Sequence, residues 1–525
     1  MMCMDKLVLP QGVGVVAVGL KTGLVLPNDD IAEITADTVA PVVADKDIIC
    51  ITEAVVARSQ NQYVTCTELA ADIKEKLNLK KGSTLAVISP IASRNRFSLI
   101  MKALALATEG GKVIVQLTTP YDEVGNQVMD EEYSTTRFRL KRTLKSLREA
   151  RGNTPQFNVL IREIIAGLKL QEMGYNIISI RKITGQGIAD LTVRTPEGRL
   201  AVIEVTFEDL AKAARKAVGI QRDVPEAEQA LAVAVNLELK RITLVDANQY
   251  LTEPQTEPIV LDYGPQLSSY YEPDVIYPNE LGERSFSHPI TKMDYRELYL
   301  EMIKAAGARG EVIFTNNPLK VYDFGYIDGI CIAAVHDREK LRELFQSFGR
   351  LVPVITLQDI GPGHWGVIGS NISDMEKGIL KLLPEDASGA ADRIKDRIKE
   401  KTGKSVEVLI FGDGAYKDPD TGIYELADPH PAIGVSEGLR QAALRTGSKL
   451  KLQVDTLHSQ GYSREEIAAI LAQKDDKGEK VAQESLGTTP RSVTSILGTL
   501  ADLVAGSADA GTPIVLIRGF EYTKG

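Results

Sequence analysis

The sequence predicts a layered α/β protein carrying an inserted α/β domain, on three observations. Buried-strand patterns alternate with amphipathic helical stretches at the start of the chain. The alternation breaks at a basic, helix-prone run near residue 133, and it resumes from Phe286. The expected boundaries are therefore 1–132, 133–285 and 286–525.

In the first part, "KDIICITEAVVA", "STLAVISPIA" and "GGKVIVQLTTP" read as strands bounded by turn residues, and "CTELAADIKEKLNL" as an amphipathic helix. The insert opens on "EEYSTTRFRLKRTLKSLREARGNTP", dense in Arg and Lys. A helix follows, with Gly174 as its C-cap, then a strand. "IADLTVRTPEGRLAVIEVTF" is a hairpin around a Pro-Glu-Gly turn, and "EDLAKAARKAVGIQRD" is a helix. After the insert, "GEVIFTNN", "IDGICIAAV", "KSVEVLIFGDG" and "TPIVLIRGF" read as strands. "MDYRELYLEMIKAAG", "ASGAADRIKDRIKEKTG", "GYSREEIAAILAQ" and "TPRSVTSILGTLADLVAG" read as helices.

Composition narrows the partners. The 525 residues are 44% hydrophobic and 25% charged, which is ordinary for a globular chain. A net charge of -10 argues against general affinity for nucleic acid or an anionic membrane. Cys3, Cys50, Cys66 and Cys331 show no CxxC or paired spacing, so reduced thiols and a cytoplasmic location are expected. No run is long and apolar enough to span a bilayer, and no membrane partner is expected.

The chemistry concentrates after the strand in "VEVLIFGDGAYKDPDTGIYELADPHPAIGVSEG", where Asp413, Asp418, Asp420, Glu425 and Asp428 crowd one loop. Acids at the carboxyl end of a buried strand lie where open α/β sheets bind ligands. Mg²⁺ takes one or two carboxylates plus phosphate oxygens, so the loop reads as a metal-nucleotide site or, equally, as a solvated turn.

Resemblance favours the first reading. "LLPEDASGAADRIKDRIKEKTGKSVEVLIFGDGAYKDP", "GSNIS", "GTPIVLIRG" and "TGLVLPNDDIAEITADTV" resemble segments of the γ-glutamyl ligases of the deazaflavin redox coenzyme. "ISPIASRNRFSLIMKALA" and "TTPYDEVGN" are similar to a larger bacterial branch of that family. The resemblance implies mixed α+β sheets, a homodimer, and amide formation driven by GTP or ATP with Mg²⁺ or Mn²⁺. In that chemistry a substrate carboxylate becomes an acyl phosphate, and L-glutamate or another amino acid attacks it. By position, Asp413 matches a metal-binding, catalytic aspartate, Asp428 a second metal acid, and Ser370 and Asn371 a nucleotide- or substrate-binding Ser-Asn pair. Arg58 keeps the positive charge of a catalytic lysine.

The departures are specific. Gly414 replaces a threonine, Ala54 stands where a lysine is expected, and "VIGSN" lacks the acid expected there. Arg94, Asn95 and Arg96 cradle a phosphate or carboxylate, or form a solvated edge. Lys417 contacts phosphate or neutralises its neighbours, and His430 is a metal or phosphate contact beside the acids. His364 is a base or packs against Trp365. Glu53 is a metal acid or an ordinary surface residue at a strand end.

The insert resembles the core of restriction-nuclease-like PD-(D/E)XK domains, with Asp190 and Glu204 on adjacent strands as its possible metal acids and Glu163 on the preceding helix. Thr206 stands where that family has lysine, with Lys212 or Lys216 as substitutes. The alternative is an ordinary hairpin with exposed acids. The expected function is thus a metal- and nucleotide-dependent amide ligase of unknown acceptor. The alternatives are a protein that binds or processes nucleic acid through its insert, or a catalytically lapsed scaffold.

Overall fold

The computed structural model describes residues 14–91, 97–149, 155–184, 187–206, 209–222, 230–237, 241–253, 255, 257–262, 274–276, 294–413, 416–417, 424–425, 430–444, 450–475, 492–506 and 511–522. They fall into two compact units. One joins the chain up to Thr65 with Pro362–Tyr416 and the chain from Leu426; the other spans Cys66–Gly361 with Lys417–Glu425. The expected α/β class is the one the chain adopts.

The first unit is built on a five-stranded sheet, in the order Val16–Leu20, Ile514–Arg518, Ile48–Thr52, Glu407–Phe411, Ala432–Val435. Its Ile48–Thr52 and Glu407–Phe411 strands run parallel, and the other pairs are antiparallel. Both faces are covered, and the period of two in the sequence assigns them. Ile49, Ile51, Val408 and Ile410 pack under helices Ile31–Val39 and Ala387–Thr402. Ile48, Cys50, Leu409 and Phe411 pack under helix Val493–Ala505. "TPIVLIRGF" lies inside this sheet with Ile514–Ile517 buried, so it offers no free edge. A three-stranded sheet, Asn371–Asp374, Ile379–Lys381 and Tyr63–Thr65, completes the unit.

The second unit carries two six-stranded sheets. The first runs Val275–Ile276, Arg309–Thr315, Lys112–Leu117, Thr84–Ile88, Gly329–Ile332, Val354–Thr356, and only its two-residue edge strand is antiparallel. The second lies wholly within residues 133–285. An antiparallel meander of Asn176–Thr184, Gly187–Arg194 and Leu200–Thr206 is followed by helix Leu210–Gln221 and a parallel strand, Leu231–Leu237. Arg241–Asp246 and Ile259–Asp262 extend it. The Pro-Glu-Gly turn closes with Gly198 N–H donating to Thr195 O at 2.8 Å, and Gly198 takes φ +82°. Gly174, at φ +100°, ends helix Pro155–Glu172 as expected.

The expected boundary at 133 falls inside helix Glu131–Glu149, and that at 285 lies outside the described residues. The basic run on this helix is only partly a solvated face. Arg137 and Lys141 are fully buried, with Lys141 Nζ donating to Val275 O, while Arg139, Arg142 and Lys145 are exposed. Among the described residues no helix is long and apolar enough to cross a membrane.

Candidate functional site

In the first unit the site is assembled where two parallel strands end side by side. Thr52 and Phe411 are partners across the ladder, so Glu53 and Gly412–Asp413 leave the sheet from the same end. Thr52 caps helix Glu53–Ser59 through its side chain, which turns the chain sharply at Glu53. Glu53 is fully buried, which corrects the surface reading of a strand-end glutamate. Its carboxylate is ion-paired to Lys381 Nζ, itself only 8% exposed. A charge held away from water requires such a partner. Asp413 is partly exposed.

Lys381 belongs to the three-stranded sheet, opposite Asn371 on one side and Tyr63 on the other. Asn371 is preceded by Ser370, 1% exposed, whose Oγ has no hydrogen-bond partner among the described residues. Ile368, at the position where an acid is expected, is a buried apolar side chain. Trp365 packs against the Ala387–Thr402 side of the core, edge-on to His364 at 5.2 Å and to His430 at 5.9 Å between ring centroids. The turn-packing reading of His364 is thus the geometry observed. Gly412 N–H donates to Pro431 O at 3.1 Å, which brings exposed His430 beside the strand end that carries Asp413. Arg58 is exposed in the last turn of the helix that Glu53 begins.

Of the remaining candidates, Arg94, Asn95, Arg96 and Asp428 lie outside the described residues. Lys417 lies on the short strand Tyr416–Lys417, with its side chain outside the description. Sequence reasoning missed Lys381 altogether. One signal was present: "GILKLLPED" holds a single lysine within an apolar run, where a solvated strand would show alternating polar residues.

The insert holds a second charged cluster. Asp190 and Glu204 sit on adjacent antiparallel strands, and Asp190 N–H donates to Glu204 Oε1 at 3.4 Å. Asp190 Oδ2 accepts from Val205 N–H at 2.9 Å. Lys216, on helix Leu210–Gln221, pairs with Glu204 and lies 3.7 Å from Asp190 Oδ1. Of the two lysines named from sequence, Lys216 reaches the acids, while Lys212 lends its backbone N–H to the Asp209 cap. Glu163 is held by Arg181 through two hydrogen bonds of 2.7 and 2.9 Å. Burial, then the charge of Asp190, pushes the Glu204 carboxyl up to about 8 despite Lys216. Burial also raises Glu163. Three acids, two of them buried, thus meet two half-exposed cations. The hairpin does not simply expose its acids: Glu204 is 3% exposed. Among the described residues no group of three or more His, Cys, Asp or Glu side chains is arranged to hold a metal ion.

Comparison with known proteins gives the family. Coenzyme F420:L-glutamate ligase of Methanocaldococcus jannaschii is 30% identical over 152 residues, 29% of this chain and 45% of that protein. The protein of the same name from Methanothermobacter thermautotrophicus is 28% identical over 158 residues, 30% of this chain and 46% of its own length. That from Halorubrum lacusprofundi is 26% identical over 197 residues, 31% of this chain and 78% of its own. The chain thus spans about half the length of the first two relatives. A further match, to the family described as F420-0:Gamma-glutamyl ligase, covers residues 19–519. By a match over nearly its whole length, the chain belongs to the F420-0:Gamma-glutamyl ligase family.

Proposed function

We propose that the first unit is a nucleotide-dependent ligase that joins an amino acid, L-glutamate or a close analogue, to an acceptor carboxylate. The observation that carries the reading is the convergence of Asp413, Glu53–Lys381 and Ser370–Asn371 around one end of a buried parallel strand pair. A divalent cation suits this end. Asp413 supplies a hard oxygen donor, and the unpartnered Ser370 Oγ is a buried polar atom that a polar ligand satisfies. When bound, the cation supplies charge neutralisation on the phosphates. Arg58 and His430 bring donors to the nucleotide, and Asn371 orients it. The acceptor carboxylate attacks the terminal phosphoryl group of GTP or ATP and expels the diphosphate. The amine then attacks the acyl phosphate, forms the amide and releases inorganic phosphate. Calorimetric titration with GTP and ATP in Mg²⁺ or Mn²⁺, followed by phosphate release with candidate amino acids, tests this. Asp413→Asn is expected to weaken cation-dependent nucleotide binding while the fold persists; unchanged titrations would remove Asp413 from the site.

A second reading applies to the insert, and the observation favouring it is Lys216 lying against both Asp190 and Glu204. We propose that these acids hold a divalent cation and that the insert binds a phosphodiester, the Lys216 ammonium replacing the lysine that Thr206 cannot supply. Cleavage is expected to be slow or absent, and binding the main activity. Filter binding of short DNA and RNA duplexes to wild type and Asp190→Ala checks it. Rapid cleavage abolished by the substitution would make the insert a nuclease.

A further inference from the structure

The Glu53–Lys381 pair has a specific relation to what this chain lacks. Ala54 offers no charge where a lysine is expected, and Ile368 offers none where an acid is expected. The structure puts an acid immediately beside the first position and a cation on the strand paired with the residues just past the second. One positive and one negative charge are retained, with their places exchanged. We propose that Glu53 is the second carboxylate of the cation site that Asp413 begins, and that Lys381 is its resident counter-charge.

Three observations support the assignment, which rests on the ligase reading of Asp413. Position comes first. Thr52 and Phe411 are ladder partners, and neighbouring strands lie about 4.8 Å apart, so Glu53 and Gly412–Asp413 emerge as neighbours. Burial comes second. Glu53 is 0% exposed, and placing a carboxylate there is unfavourable unless a cation answers it. Lys381 does so from a strand far away in sequence, which ties the helix start to the hairpin of Asn371. The third is independent of both acids. Ser370 Oγ is buried without a hydrogen-bond partner among the described residues, immediately before Asn371, the residue opposite Lys381. A buried hydroxyl in that condition has capacity for a further polar contact. Glu53 and Asp413 thus supply two hard oxygen donors, the usual protein share of a Mg²⁺ or Mn²⁺ site.

The test is a Mn²⁺ titration of the full chain without nucleotide or amino acid, read from the spin-resonance signal of free Mn²⁺. The variants are Glu53→Gln/Lys381→Met, which removes both buried charges and keeps their volume, and Asp413→Asn. Both are expected to lose Mn²⁺ affinity by about tenfold or more. The metal-free melting temperature of the double variant is expected to stay near wild type, because a buried ion pair is often replaceable by uncharged side chains. If only Asp413→Asn loses affinity, the pair is structural and the assignment of Glu53 is overturned. If neither variant changes it, the ligase reading of Asp413 falls too. Glu53→Asp guards against a double variant that does not fold: it keeps the charge and shortens the reach. Weaker Mn²⁺ binding by it supports the proposal, and unchanged binding overturns it.

Discussion

Each unit of this protein holds a glutamate against a lysine, and the two pairs differ in solvent access. In the first unit the side chains of Glu53 and Lys381 are 0% and 11% exposed; in the second those of Glu204 and Lys216 are 4% and 47% exposed. The first lysine sits on a strand, enclosed by neighbours on both sides; the second reaches in from a helix with much of its length in water. An enclosed ammonium cannot leave without exposing a buried carboxylate, so that pair behaves as fixed charge. A half-exposed ammonium can swing into solvent, where its hydration is recovered, and hand its carboxylates to another cation. Identical pairing chemistry therefore gives a counter-charge fixed in place in one region and one that can swing away in the other.

The largest effect should come from breaking the enclosed pair on one side only. Lys381→Met leaves the Glu53 carboxylate buried without that cation and is expected to lower stability by about 3–5 kcal/mol. Adding Glu53→Gln should restore most of it, as read by urea denaturation of the ligase unit. Lys216→Met in the insert should lower stability far less, since Lys216 is half in water.

Next in size is a pH dependence confined to the insert. The Glu204 carboxyl is held near 8 by burial and then by Asp190, above the usual carboxylate range. A group whose folded value is raised adds stability that is complete below its unfolded value, about 4.3, and is lost as pH rises toward 8. Hydrogen exchange in strand Leu200–Thr206 should therefore quicken, beyond its intrinsic pH effect, between pH 5 and 8. Glu204→Gln should flatten this trend, and saturating Mn²⁺ should flatten it too if the acids accept a cation. The Ile48–Thr52 strand should show no such trend in response to either change.

The smallest effect is expected at Arg58, exposed on its helix. Arg58→Gln should change stability by less than about 0.5 kcal/mol, yet weaken GTP or ATP titration in Mg²⁺. A variant that binds nucleotide as wild type would confine the ligase site to the buried pair and Asp413.

The sequence showed some of this and hid the rest for physical reasons. Asp413 was legible because a buried strand followed by acids is a local pattern, and Asp190 and Glu204 because a hairpin fixes which residues meet. The partner of Glu53 was not, since Lys381 lies 328 residues away and nothing local marks a long-range pair. Glu53 was misjudged because strand periodicity stops at Thr52 and the new helix sets a different face. The strand-helix alternation announced α/β layers. It could not announce that the residues between Thr65 and Pro362 form a unit with Lys417–Glu425, because strand order depends on pairings that close over long loops.

That strand order has a consequence for how the chain is made. The Ile514–Arg518 strand, second in its sheet, brings Arg518 to Asp47, 471 residues earlier, and Lys112–Leu117 gains its second neighbour only with Arg309–Thr315. All strands of the insert sheet, by contrast, lie between Asn176 and Asp262. At ~5–20 residues per second, a ribosome takes roughly 25–95 s to cover the 471-residue gap. During that time the sheet within residues 133–285 can be folded and the five-stranded sheet cannot. The nascent chain thus completes its units from the middle outward, and the Val16–Leu20 strand, which pairs with Ile514–Arg518, stays unpaired longest. That interval is when chaperone binding should protect it and when aggregation should begin.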